Sequence, residues 1–179
     1  MASHSIRFCV AIDTSEQRAE RPTLRTLRDP VHFVAFGFGS GLAPRAPGTA
    51  GSLVGLAATW WLLELPLLWQ VVAVVTVIAL GVFVCGESAR RLEAHDHPGI
   101  VFDEIAGVLL AALALPEKSI LWLALLFVFF RVFDIVKPWP IRDVDHRLGG
   151  GLGIMLDDVM AAGYAAVCLT AIRVLLPTI

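Results

Sequence analysis

Charge is scarce in this sequence. Asp, Glu, Lys and Arg make up 17% of it and hydrophobic residues 57%, where soluble domains run nearer about 25% and 45–50%. A chain of 179 residues is too short to bury so much apolar surface away from water, so the bilayer is the simpler solvent. The net charge of -2 gives no basic field, and no aromatic-basic interleaving marks a nucleic-acid surface. Cysteine is also sparse. Cys9, Cys85 and Cys168 lie far apart, with neither a CxxC pair nor a zinc spacing. Cys85 and Cys168 fall in apolar runs and read as buried thiols. HExxH, GxSxG and P-loop motifs are missing. Residues 1–30 lack the continuous apolar stretch of a signal peptide. Asp13, Glu16, Glu20 and Asp29 among the arginines there argue against a transit peptide. Residues 1–29 therefore read as a flexible polar tail, and 30–179 as one helical membrane domain.

What the sequence does have is a series of apolar segments separated by charged gaps. The clearest, Leu67 to Gly86, holds no charge over 20 residues, about the length that spans a hydrocarbon core. Thr49–Leu63, Ile105–Leu115, Ser119–Phe130 and Val159–Ile172 are each short for a span. Snorkelling ends, local thinning or partial insertion accommodate such lengths. No strand alternation appears. The expected fold is thus all-α, a compact multi-pass transmembrane bundle with short or partly re-entrant helices. Boundary signals are ordinary. Thr49 is the expected N-cap of its helix. Leu65-Pro66 and Pro116-Glu117-Lys118 are breaks, Pro98-Gly99 precedes a helix start, and Pro138 and Pro140 end the helix carrying Arg131. Gly149-Gly150-Gly151 and Gly153 read as a mobile link into the last helix.

Threading five segments through a membrane puts residues 1–48, 87–104 and 131–157 on one face. That face receives 12 of the 14 Lys and Arg residues, all but Lys118 and Arg173. The positive-inside rule makes it cytoplasmic.

The same threading sorts the acids. Asp103 and Glu104 fall where one apolar helix begins, Asp134 where another ends, and Asp157 and Asp158 where the last begins. All five are expected at one depth on the cytoplasmic face. A charge within the bilayer costs about 2.5–3.5 kcal/mol on insertion scales, so acids flanked by apolar residues need partners or a function. Oxygen-only clusters from separate helices suit hard cations such as Mg²⁺ or Mn²⁺, which hold phosphate oxygens and acidify bound water. The competing reading is that each pair is a helix-start charge favoured by the dipole.

Arg131, Asp134 and Lys137 follow at i, i+3 and i+6, on one side of a helix. They form either a structural salt bridge or a carboxylate for metal with a lysine for phosphate. Lys137 leads into Pro138-Trp139-Pro140-Ile141-Arg142, a rigid turn with an interfacial Trp and a second cation. The stretch from Gly37 to Thr49, with Ser40 and Arg45, is a glycine-rich loop before a helix. It is either an anion cradle or a plain interface loop. His95-Asp96-His97 offers too few ligands for zinc and fits a supporting role such as proton shuttle, or a structural one. Asp143-Val144-Asp145-His146-Arg147 resembles a DxDx(T/V) nucleophile motif, but Arg147 takes the hydroxyl or β-branched position and no parallel sheet surrounds it.

Four blocks in order, GFGSGLAPRAPGTAGSL (37–53), HDHPGIVFDE (95–104), FRVFDIVKPWPIRDVD (130–145) and GGGLGIMLDDVMAAG (149–163), resemble the phosphatidylglycerophosphatase A family. The resemblance implies a Mg²⁺-dependent bacterial inner-membrane hydrolase. It would convert phosphatidylglycerol phosphate to phosphatidylglycerol and inorganic phosphate at the cytoplasmic leaflet. It implies catalytic and metal roles for Asp103, Glu104, Asp134, Asp157 and Asp158. Ser40, Arg45, Arg131, Lys137 and Arg142 are the substrate-binding candidates, with His95, Asp96 and His97 in support. Alternatives are a phosphatase of another lipid or polyprenyl phosphate, a transporter whose acids line an ion path, and a membrane scaffold. Membrane lipids and the lipid phosphate are the only partners read here.

Overall fold

The structure, a computed structural model, describes residues 23–94, 97–145 and 149–176. Every element among them is helical, as expected. A 3-10 turn, Thr26–Arg28, leads into helix α1 (Pro30–Ala35) and a second 3-10 segment, Gly37–Leu42. Then follow α2 (Pro47–Leu62), α3 (Leu67–Arg91), α4 (Phe102–Ala112), α5 (Ile120–Val136), α6 (Ile141–Asp145) and α7 (Gly150–Leu175).

Proline separates α2 from α3, α4 from α5 and α5 from α6, at the expected breaks. Two expectations about helix starts are corrected. Thr49 is not a cap: α2 begins at Pro47, whose fixed φ suits the first helical position, and Ala46 is the cap, at φ 48°. The glycines at 150, 151 and 153 are not a mobile link but the first turn of α7. At Gly151 α3 and α7 cross in backbone contact, whereas Gly150 enters the helix at φ 72° with nothing beside its missing Cβ. A Cβ on Gly151 would lie 1.8 Å from the Val82 carbonyl oxygen. In consequence Asp157 and Asp158 stand two turns inside α7, not at its start.

Helix α4 is the centre of the fold. Eight of its 11 residues are buried, and it packs against α2, α3, α5 and α7. At roughly 1.5 Å per residue it rises only about 16 Å, too little to cross a bilayer. Helices α3 and α7 are long and apolar enough to do so. In α3 only 17% of the most apolar window is buried, which distinguishes it from the core helix of a soluble protein. Leu67, Leu68, Val75 and Phe83 of α3 and Ile120, Val128, Val132 and Ile135 of α5 all face outward. Trp60, Trp61 and Trp69 are exposed around the α2–α3 connection, and Trp139 just past α5, positions that suit interfacial belts.

Near the carboxyl end of α3, Asp29 ties the chain down. Its side chain accepts the Val31 N–H at 2.9 Å, capping α1, and pairs with Arg91 at 2.5 Å. The cap and the guanidinium hold its carboxyl below the usual range. A depressed carboxyl stabilises the fold above its unfolded pKa and loses that contribution as pH falls through the folded one. Asp29→Ala should lower the thermal unfolding midpoint at neutral pH by about 3 °C, and the difference from wild type should shrink as the pH is taken down through the carboxylate range. An equal difference at every pH would count against the ionised cap.

Candidate metal and phosphate site

Three helices bring the acids together. Asp103 and Glu104 occupy the first turn of α4, Asp134 the last turn of α5, and Asp157 and Asp158 the third turn of α7. Carboxylate oxygens of Asp103, Glu104 and Asp158 lie within 4.8 Å of one another. Asp134 sits close against Asp158, within hydrogen-bonding reach. Asp157 lies at the edge: its Oδ1 accepts the Asp158 N–H at 3.1 Å, and its Oδ2 accepts from Lys137 Nζ at 2.6 Å. Adjacent helical residues diverge by about 100°, which is why Asp158 points into the cluster and Asp157 to its flank.

This arrangement is electrostatically costly for the chain alone. Asp103 Oδ1, Glu104 Oε2 and Asp158 Oδ1 are buried with no hydrogen-bond partner among the described residues. Burial, then the neighbouring Glu104, drives the Asp103 carboxyl well above its ordinary range. Burial, then the charge of Asp158, pushes Glu104 up to about 8. Carboxylates cannot all ionise at this spacing unless a cation joins them. Unpartnered oxygens from two helices, with no nitrogen or sulfur among the donors, match the preference of a hard divalent ion. The residues present fit such an ion.

The cations border the acids. Arg131 Nη1 donates to Asp134 Oδ2 at 2.5 Å and to Ser52 Oγ at 3.4 Å, and its buried Nε has no partner among the described residues. Lys137 closes α5 in the left-handed region, at φ 44°. That conformation favours glycine, and here it carries the amine that reaches Asp157. Arg45 and Arg142 are exposed, on the loop before α2 and on α6. Ser40 donates its hydroxyl to the Gly37 carbonyl at 2.8 Å, closing its own turn. His97 is buried, and its Nδ1 accepts the Gly99 N–H at 3.0 Å. With Gly41, Ala43, Pro44 and Pro47 it lines a cleft of about 300 Å³. His95 and Asp96 lie outside the described residues. So do His146 and Arg147 of the aspartate motif on α6, and no strand occurs near it among the described residues.

Two residues next to the site were not among the candidates singled out in the sequence, Gly48 being read only as part of the glycine-rich loop. Gly48 opens α2 directly over the acids: a Cβ there would stand 2.2 Å from Glu104 Oε1 and 3.3 Å from Arg131 Nη1. Ser52, one turn on, is fully buried and touches Arg131. Their i, i+4 spacing behind Pro47 was the available clue.

The chain is similar to known proteins over most of its length. The family model described as Phosphatidylglycerophosphatase A matches residues 33–173. The Escherichia coli (strain K12) protein named Phosphatidylglycerophosphatase A is 44% identical over 142 residues, covering 78% of this chain and 81% of its own. The Haemophilus influenzae protein of the same name is 43% identical over 150 residues, covering 83% and 91%. A Bacteroides thetaiotaomicron protein, provisionally named a phosphatidylinositol-3-phosphatase, is 35% identical over 149 residues, covering 79% and 92%. No solved structure matches significantly. The family match takes in α2 to α6, most of α7 and every acid of the cluster, and this chain belongs to the phosphatidylglycerophosphatase A family.

Proposed function

We propose that this chain removes the terminal phosphate of phosphatidylglycerol phosphate, leaving phosphatidylglycerol and inorganic phosphate, and that it does so with Mg²⁺ on the cytoplasmic face of a bacterial inner membrane. Family membership makes it a phosphatase, a phosphoric monoester hydrolase. The observation that carries the mechanism is the buried, unpartnered oxygen cluster of Asp103, Glu104 and Asp158.

Those three residues would hold the metal, with Asp134 and Asp157 flanking it. A bound Mg²⁺ supplies a positive centre for phosphate oxygens and acidifies a coordinated water. The chain's own groups do the rest. Arg131 and Lys137, each held by one aspartate, offer donors to the phosphate where charge develops in the transition state. The asymmetry of basic residues favours a cytoplasmic orientation, and the outward apolar faces of α3, α5 and α7 favour several helices in the membrane. Membership of a phosphatase family decides against the transporter and scaffold readings.

The competing substrate reading is another phosphorylated lipid, and the name of the Bacteroides relative gives it content. Purified protein in mixed micelles should be offered phosphatidylglycerol phosphate, phosphatidate, phosphatidylinositol 3-phosphate and a polyprenyl phosphate, each with and without EDTA. We expect fastest phosphate release from phosphatidylglycerol phosphate, its loss in EDTA and its return with Mg²⁺. Full activity in chelator would sink the metal proposal, and faster turnover of another lipid would sink the substrate.

A further inference from the structure

Helix α2 contains the same local arrangement twice. Ser52 donates its hydroxyl to the Gly48 carbonyl at 2.8 Å, and Thr59 donates its own to the Gly55 carbonyl at 3.0 Å. Both residues are fully buried. Back-bonding to the carbonyl four residues earlier satisfies a buried hydroxyl without help from the rest of the protein. The two sites differ in what lies beyond. Ser52 Oγ also faces Arg131 Nη1 at 3.4 Å, across the gap between α2 and α5. Thr59 makes no such contact among the described residues.

The direction of the Ser52 bond matters. Its single proton is committed to Gly48, so the oxygen can only accept, and the donor it meets is the guanidinium. Nη1 of Arg131 is thereby shared between Ser52 and Asp134 Oδ2. Two anchors on one nitrogen fix the plane of the fork. The buried Nε is left without a partner among the described residues. A fixed planar fork with an unmet donor suits bidentate recognition of a phosphate group. Gly48, with no Cβ, lets Glu104 Oε1 and Arg131 Nη1 both come close against the start of α2.

We infer that Ser52 is a positioning residue: it sets the Arg131 guanidinium for the phosphate of the substrate without touching that phosphate itself. The inference rests on the lipid-phosphatase reading above, and it adds a residue and an interhelical contact to it. It also gives α2, which supplies none of the acids, a part in the reaction.

The test is a pair of matched variants and a double-mutant cycle. Ser52→Ala should raise KM for phosphatidylglycerol phosphate about tenfold and weaken inhibition by inorganic phosphate to a similar degree, with kcat changed less, as expected when one charge-assisted contact loses its geometry. Thr59→Val, which removes the matched hydroxyl, should leave both constants at wild-type values. In an Arg131→Met background, Ser52→Ala should add nothing further. Wild-type KM and phosphate inhibition in Ser52→Ala would overturn the inference, as would effects of Ser52→Ala and Arg131→Met that simply multiply. The two failures are separable. If the wild-type protein released no phosphate from any lipid of the panel, the lipid-phosphatase reading would fall. If it did so and Ser52→Ala behaved as wild type, only the role of Ser52 would.

Discussion

Asp158→Asn should abolish phosphate release, by about a thousandfold or more, while leaving the metal-free protein at least as stable as wild type. The two halves have one cause. Asp158 is 3% exposed and lies among Asp103, Glu104 and Asp134, with one oxygen lacking a partner among the described residues. Without a cation the cluster is a net cost to the fold, because buried charges of one sign repel and are poorly solvated. An amide of the same shape cannot ionise and brings two N–H donors to carboxylates that need them. In EDTA the variant should therefore unfold at the wild-type temperature or a few degrees above it. Adding Mg²⁺ should reverse the order. An ion that binds only the folded protein stabilises it by about 2.7 kcal/mol at a hundred times its dissociation constant. The wild type should gain that and the variant little of it. Thermal unfolding in micelles, with and without Mg²⁺, reads this arm independently of activity. If Asp158→Asn were destabilised in EDTA and still stabilised by Mg²⁺, the cluster would be a structural network rather than a metal site.

The residues show why some of this was legible in the sequence. An acid in an apolar run is conspicuous because hydrocarbon leaves it no solvent, so Asp103, Glu104, Asp134, Asp157 and Asp158 could be picked out singly. Their meeting followed from threading, since every one lay near a segment end on the same side. Proline breaks were legible because the missing N–H acts locally. Depth and register were not. Glycines at 149–153 look like a linker when read alone, and the close crossing partner of Gly151, Val82 to Gly86 on α3, cannot be seen from that stretch. For the same reason Asp157 and Asp158 were expected at a helix start and stand two turns in. The short apolar segments misled in the other direction. α7 starts at Gly150, two turns before its acids, while α5 runs to Val136, up to the prolines expected to end it. Ser52 was not singled out, and Gly48 only as part of its loop, because their contribution lies in the close approach they allow and whom they touch.

The glycine crossing is where the fold is most exposed to a single change. Gly151→Ala should cost at least about 3 kcal/mol, because the new methyl has nowhere to go. It would lie 1.8 Å from the Val82 carbonyl oxygen and 2.8 Å from the Gly86 nitrogen, both backbone atoms that cannot rotate aside. Helices α3 and α7 would have to separate along their length, and Met155, packed on Gly81 at the next contact, would lose its seat. The displacement reaches the site, since Asp158 stands two turns further along the same helix and a shift of about 1 Å at a reacting group costs on the order of a hundredfold in rate. Gly163, also inside α7, provides the contrast. A Cβ there meets nothing within 4 Å, so Gly163→Ala should be neutral or stabilise by up to about 1 kcal/mol through helix propensity alone. Loss of helical signal on SDS titration from mixed micelles distinguishes the two substitutions. Equal midpoints for both variants would mean that the close crossing of α3 and α7 is not what sets the register of the acids.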